Sequence, residues 1–292
     1  MAEQGDGMRD AVRETYGSGD LSAVPIFAGG FINFGHWRGI DLTAPVGEPE
    51  RVRSQQDLYR LVLDAAVPAP GARLLEVGCG LGMGCALALG ERDPAAVTGL
   101  DIHPEQLRRA RERHAALLAE QPERLAFVQG AAEQLPFADG GFDAVLSVEA
   151  AQHFPDLAAF AAETARVLAP GGRLALAGFF TVDDSPARPA QLAGLLETFA
   201  NGLDIARPVT ALTGALGGAG LTGVAAESIG AEVWPGWDRW LSRWWAPDTW
   251  PHNFLRAYRD GILDYYLVTA ELPRVPGAPG APGAPAVTVL PR

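Results

Sequence analysis

The chain has 292 residues, 48% hydrophobic and 20% charged, ordinary values for a globular protein built as one large domain or one domain with an appendage. All 23 basic residues are arginine and the net charge is −12; with no basic cluster, nucleic acid and anionic membrane surfaces are excluded as natural partners. No apolar run approaches the ~20 residues of a membrane span. Met1–Asp20 is polar and acidic and does not read as a secretory leader, so a cytoplasmic location is expected.

The N-terminal part, residues 1–66, reads as a helical cap with an aromatic turn at Phe31–Trp37 and a helix over Glu50–Ala65. A core over residues 67–181 follows. Arg73–Gly78 is a short apolar run ending in glycines, as expected of a buried strand. Leu81–Leu89 reads as a helix, Val97–Asp101 as a strand, and Pro104–Glu120 as a helix opened by proline. Strands are predicted at Leu125–Gln129 and Phe142–Val148, a helix at Leu157–Leu168, and a strand at Arg173–Phe179. Strands alternating with helices over short links predict an α/β protein, a Rossmann-like, seven-stranded, doubly wound sheet.

Residues 182–220 read as a helical lid insertion. Residues 221–273 supply strands at Leu221–Ile229 and Tyr265–Glu271, with a helix at Pro251–Arg259, to complete the sheet. Six of the seven tryptophans fall within residues 234–250. Trp237, Trp240 and Trp244 share a helix face at i, i+3, i+7 spacing, which predicts either an aromatic lid over an apolar substrate or a stripe packed on the core. The Gly-Ala-Pro repeat in residues 274–292 predicts disorder.

The chemistry starts at Glu76-Val-Gly78-Cys-Gly80-Leu-Gly82, between the first strand and its helix. Glycines let the backbone turn sharply and let a ligand approach, and the helix N-terminus offers free N–H groups. The G-x-G-x-G spacing tilts away from the G-x-G-x-x-G of dinucleotide enzymes. Asp101, closing the second strand, is placed to accept from ribose hydroxyls or, alternatively, to cap the next helix. Cys79 and Cys85 lie in this same stretch, and no Cys or His pattern completes a metal site, so neither metal nor disulfide is expected.

Taken in order, E-V-G-C-G-x-G, G-L-D, A-E-Q-L-P-F, F-D-A-V and V-L-A-P-G-G-R-L resemble the class I S-adenosylmethionine (SAM)-dependent methyltransferases, over about residues 55–180. The resemblance implies SAM as cofactor. It implies that Glu76, Gly78 and Gly80 hold the methionine end, Asp101 the ribose, and Ile102, Ala132 and Glu133 the adenine. Ser147, at the end of the fourth strand, is expected beside the cofactor. Phe34-Gly-His-Trp37 is similar to an aromatic turn of the small-molecule branch, which implies that Trp37 folds over the cofactor, with a core anchor as its other reading; Gln56, fifteen residues before Gly71, matches a glutamine that faces the cofactor in that branch. One departure stands out. Ala131 occupies a position where family members often carry the aspartate that accepts from the adenine amino group.

Methyl transfer from SAM needs alignment and desolvation, and an oxygen nucleophile benefits from a base within hydrogen-bond reach. His153 is the candidate base, with packing against the adjacent helix as its other reading. Asp183 or Asp184, just past the fifth strand, is expected to orient it, with a solvated loop as their other reading, and Glu149 to steady a cation or bind the cofactor amine. The expected function is O-methylation of a small, largely apolar secondary metabolite by a monomer or homodimer. The alternatives are C-methylation of an isoprenoid or other carbon nucleophile, which the ending Phe254–Val268 resembles, and a SAM-binding cyclase without methyl transfer.

Overall fold

The structure, a computed structural model, describes residues 8–66 and 70–274; the disorder expected of the Gly-Ala-Pro repeat lies outside the described residues. The first helices are α1 (Asp10–Gly17) and α2 (Glu48–Ala66). Then follow β1 (Arg73–Val77), α3 (Met83–Arg92), β2 (Ala96–Asp101), α4 (Pro104–Arg113), α5 (Ala115–Glu120) and β3 (Leu125–Gln129). β4 (Phe142–Val148), α6 (Leu157–Val167) and β5 (Leu168–Thr181) complete the alternating part. The remainder is α7 (Arg188–Leu195), α8 (Glu197–Ala200), α9 (Val209–Gly218), β6 (Thr222–Ser228), α10 (Gly230–Leu241), α11 (Asn253–Arg259) and β7 (Leu263–Glu271).

The seven strands form one sheet in the order β3-β2-β1-β4-β5-β7-β6. The first five are parallel, and β7 runs antiparallel between β5 and β6. β1 and β4 lie buried on both faces, which is why they read as continuous apolar runs rather than alternating ones. Local capping sets the helix starts. Pro104 opens α4 behind His103, whose side chain accepts from the Glu105 amide, and Asp156 caps α6 by accepting from the amides of Ala158 and Ala159. The single helix expected over Pro104–Glu120 breaks at His114, which leaves helical geometry while its Nε2 lies 3.1 Å from the Leu81 carbonyl.

The tryptophan region differs from a lid. α10 starts at Gly230 and ends at Leu241, so Trp244 lies beyond it. Trp234, Trp237 and Trp240 are buried. Trp234 stacks on Phe254 at 5.2 Å and 10°, and Phe34 packs on Trp234, Trp237 and Phe254 at 4.9–5.2 Å. The stripe therefore fixes the N-terminal segment to the sheet. Arg51 of α2 completes this anchor. It is fully buried, sits 5.0 Å from the Trp237 ring, and donates to the carbonyls of Ile26, Phe34 and Asn33. Carbonyl acceptors and ring faces offset the desolvation of the guanidinium.

Candidate active site

A cleft of about 960 Å³, counted to its open mouth, lies at the C-terminal ends of β1, β2 and β4. The strand order reverses between β1 and β4, the place where open α/β sheets bind ligands. The glycine loop forms its floor. Gly78, Gly80 and Gly82 have φ of 78°, 50° and 69°, a region that L side chains rarely adopt. A Cβ on Gly80 would meet nothing within 4 Å, which leaves the loop backbone open to a ligand.

Asp101 stands on the wall of this cleft. Its Oδ2 accepts from the Gly80 amide and its Oδ1 from the His103 amide, each at 2.8 Å. Burial pushes its pKa up while those amides pull it down. A carboxylate locked at the end of β2, beside an open glycine loop, suits the diol of a ribose. Ile102 and Ala132 supply apolar wall, and Glu133 lines the same region. Oε1 of Glu133 has no hydrogen-bond partner among the described residues. These residues fit an adenosyl group.

Four expected cofactor contacts do not reach the cleft wall. Glu76 lies behind it, fully buried, accepting from the Tyr59 hydroxyl at 2.8 Å and the Cys85 thiol at 3.0 Å; burial raises its pKa to about 7. Tyr59 takes the place on the wall. Gln56, three residues earlier on α2, faces outward beside Pro49 and Arg53, because only one face of a helix points inward. Trp37 is buried in the anchor; its indole donates to the Phe34 carbonyl and its amide to Glu232. Ser147 is buried between strands and donates to the Val77 carbonyl at 2.9 Å. Among the described residues, none from 182 to 273 lines the cleft. Met8, Arg9, Val12 and Tyr16 of the N-terminal segment cover it instead.

His153 does line the cleft. Its Nδ1 lies 3.1 Å from the Leu203 carbonyl and 3.2 Å from the Asp204 carboxylate. A carbonyl only accepts, so Nδ1 carries the proton and the Nε2 lone pair is free to accept. That lone pair faces the Tyr16 hydroxyl at 3.0 Å. Asp183, the expected partner, is exposed and paired with Arg188 at 2.7 Å. Asp204 replaces it, buried just before α9. Nothing in the local sequence marks Asp204, because its approach to His153 depends on the loop after α8 folding back over the end of β4.

Glu149 also lines the cleft, in left-handed geometry at φ 50°. Its Oε1 accepts from the Phe34 amide at 2.6 Å and the Tyr265 hydroxyl at 2.9 Å. Burial raises its pKa to about 8, against the pull of these donors and of Arg51.

Residues 75–176 match the family described as methyltransferase domain. Over that stretch the chain carries a methyltransferase domain. It is 38% identical over 143 residues to a fatty-acid O-methyltransferase of Mycolicibacterium smegmatis, covering 49% of this chain and 50% of that protein. It is 34% identical over 173 residues to the 27-O-demethylrifamycin SV methyltransferase of Amycolatopsis mediterranei, covering 59% and 62%. The match thus spans about half to three-fifths of these relatives. The fold extends further. A geranyl diphosphate C-methyltransferase from Streptomyces coelicolor superposes with TM-score 0.74 at 16% identity, over 93% of this chain and 99% of that one. The [4+2]-cyclase SpnF superposes with TM-score 0.67 at 20% identity, over 92% and 98%. No helix among the described residues is long and apolar enough to cross a membrane.

Proposed function

We propose that the protein is an O-methyltransferase acting on a small, largely apolar secondary metabolite, with His153 as general base. One observation carries this reading: His153 sits on the wall of the cofactor cleft, its Nδ1 proton held by the Leu203 carbonyl with the Asp204 carboxylate 3.2 Å away, and its Nε2 lone pair directed inward. SAM, when bound, supplies the electrophilic methyl group. Asp101 and the Gly78–Gly80 backbone would hold the adenosyl part, and Ile102, Ala132 and Glu133 would border the adenine. Nε2 would accept the hydroxyl proton as the acceptor oxygen attacks, and Asp204 would stabilise the resulting imidazolium. The covering N-terminal segment and apolar walls would exclude water.

The relatives support an oxygen acceptor, since their names specify fatty-acid O-methylation and a demethylrifamycin substrate. A second reading rests on Glu149. A buried acid beside Tyr265 on the cleft wall could steady positive charge during C-methylation, the activity named for the Streptomyces neighbour.

The test incubates the protein with methyl-labelled SAM and fractions of hydroxylated metabolites, followed by mass spectrometry. Label on an oxygen supports the proposal and label on carbon supports the second reading. A converted product without label would replace both with a cyclase. Calorimetric titration with SAM and NAD tests the cofactor separately.

A further inference from the structure

α1 is held over the cleft by bonds that converge on the His153 loop. Arg9, just before α1, donates to the His153 carbonyl at 2.9 Å, to the Leu203 carbonyl at 3.1 Å, and to the Gly202 carbonyl. At the other end, Arg109 of α4 donates to the Tyr16 carbonyl at 3.0 Å. Between these pins the Tyr16 side chain enters the cleft, and its hydroxyl is 3.0 Å from His153 Nε2. The two rings meet edge to face at 5.8 Å and 66°.

An acceptor hydroxyl needs that same lone pair. Nε2 can take one donor, so Tyr16 and an acceptor cannot both use it. We propose that Tyr16 determines acceptor specificity: its phenol holds the acceptor's place on His153, and the protein therefore takes acceptors whose reacting group is a phenolic hydroxyl, seated where the Tyr16 ring lies. The inference rests on the O-methyltransferase reading above.

Chemistry favours the same class. A histidine base removes a proton from a phenol, of pKa about 10, far more readily than from an aliphatic hydroxyl with an acidity near water's, about 15.7. Burial, with the carboxyls of Asp204, Asp101 and Glu149 nearby, pushes the Tyr16 phenol above its ordinary range. Tyr16 thus keeps its proton and serves as a placeholder rather than as a nucleophile.

The test reads His153 directly, by its carbethoxylation with diethyl pyrocarbonate and peptide mass spectrometry. Tyr16→Phe keeps the ring and removes the hydroxyl bond; losing a bond of about 1 kcal/mol should speed His153 modification about fivefold. Tyr16→Ala should also react quickly, and 4-methylphenol should restore slow modification in that variant while leaving the wild type unchanged. Cyclohexanol should not protect. Modification of Tyr16→Phe at the wild-type rate, or a Tyr16→Ala protein that folds by circular dichroism yet gains no protection from 4-methylphenol, would overturn the proposal. These arms use no SAM. They remain readable if methyl transfer itself is disproved, whereas a His153→Ala enzyme that still methylates would sink the base reading and, with it, the placeholder role of Tyr16.

Discussion

The imidazole Nδ1 of His153 lies 3.2 Å from the carboxylate of Asp204, although the two residues come from different loops. The carboxylate is buried, and the nearer pairing candidate in the sequence, Asp183, is tied to Arg188 at the surface. The Leu203 carbonyl gives His153 one tautomer, with Nε2 toward the cleft, and the Asp204 carboxylate stands beside the protonated Nδ1.

Loss of the base should lower turnover without lowering cofactor affinity. His153→Ala is expected to reduce methyl transfer about 10²–10⁴-fold, the usual contribution of general base catalysis. Asp204→Asn should reduce it in the same direction, because an amide cannot stabilise the imidazolium in the same way. Asp183→Ala should be neutral. Initial rates with labelled SAM, paired with calorimetric SAM affinity, check all three; an active His153→Ala enzyme would remove the base assignment.

Asp101 should matter for binding. Its carboxylate ties Gly80 and His103 together and, in the proposed reading, would hold the ribose. Hydrogen bonds to a charged group are worth about 1.5–3 kcal/mol each. Asp101→Ala should therefore weaken SAM binding by roughly 10- to 100-fold or more. Titration calorimetry reads the change, and wild-type affinity in the variant would contradict the assignment.

The two buried acids give stability a pH dependence. The folded protein holds a proton on Glu76 up to about pH 7 and on Glu149 up to about pH 8, whereas an unfolded chain releases it near pH 4.3, the approximate reference value. In between, the folded state binds more protons, so stability falls as pH rises from about 4.5 to about 8 and then levels off for these two groups. Arg51, pulled down to about 9 by burial, contributes only above that window. Melting temperatures across this range should show the slope, and Glu149→Gln should flatten its upper part. An unchanged slope in that variant would place the effect elsewhere.

Trp37 and Gln56 should separate structure from binding. Trp37 packs against Gly236, where an added Cβ would run into the indole. Trp37→Ala should cost about 3–5 kcal/mol of stability, as for other buried aromatics, while the folded protein keeps its SAM affinity. Gln56→Ala should change stability by no more than about 0.5 kcal/mol and leave binding intact. Urea denaturation and titration of the two variants decide this; a large loss of SAM affinity in Gln56→Ala would return that residue to the site.

Short-range pattern was enough for the floor and one wall of the cleft. The strand ends, the glycine loop, Asp101, Ile102 and Ala132 follow one another within a few residues of a strand. A parallel strand delivers its C-terminal residues to the same edge of the sheet whatever lies elsewhere. His153 and Glu149 were legible for the same reason, as they follow the end of β4 directly. A helix shows only one face to the cleft, and the spacing alone does not give its phase: Tyr59, three residues on, lines the cleft and Gln56 does not. The tryptophan stripe at 237, 240 and 244 has the same spacing in a lid as in a core, so only packing decides its role.

The amino-acid order by itself determined the doubly wound core and the backbone cradle beside Asp101, because both arise from local periodicity, glycine geometry and strand ends. Only the tertiary structure decided what surrounds His153. Asp204 behind it and Tyr16 before it come from segments distant in the chain, joined by a loop closure and by the pins of Arg9 and Arg109, and no sequence spacing encodes such a meeting.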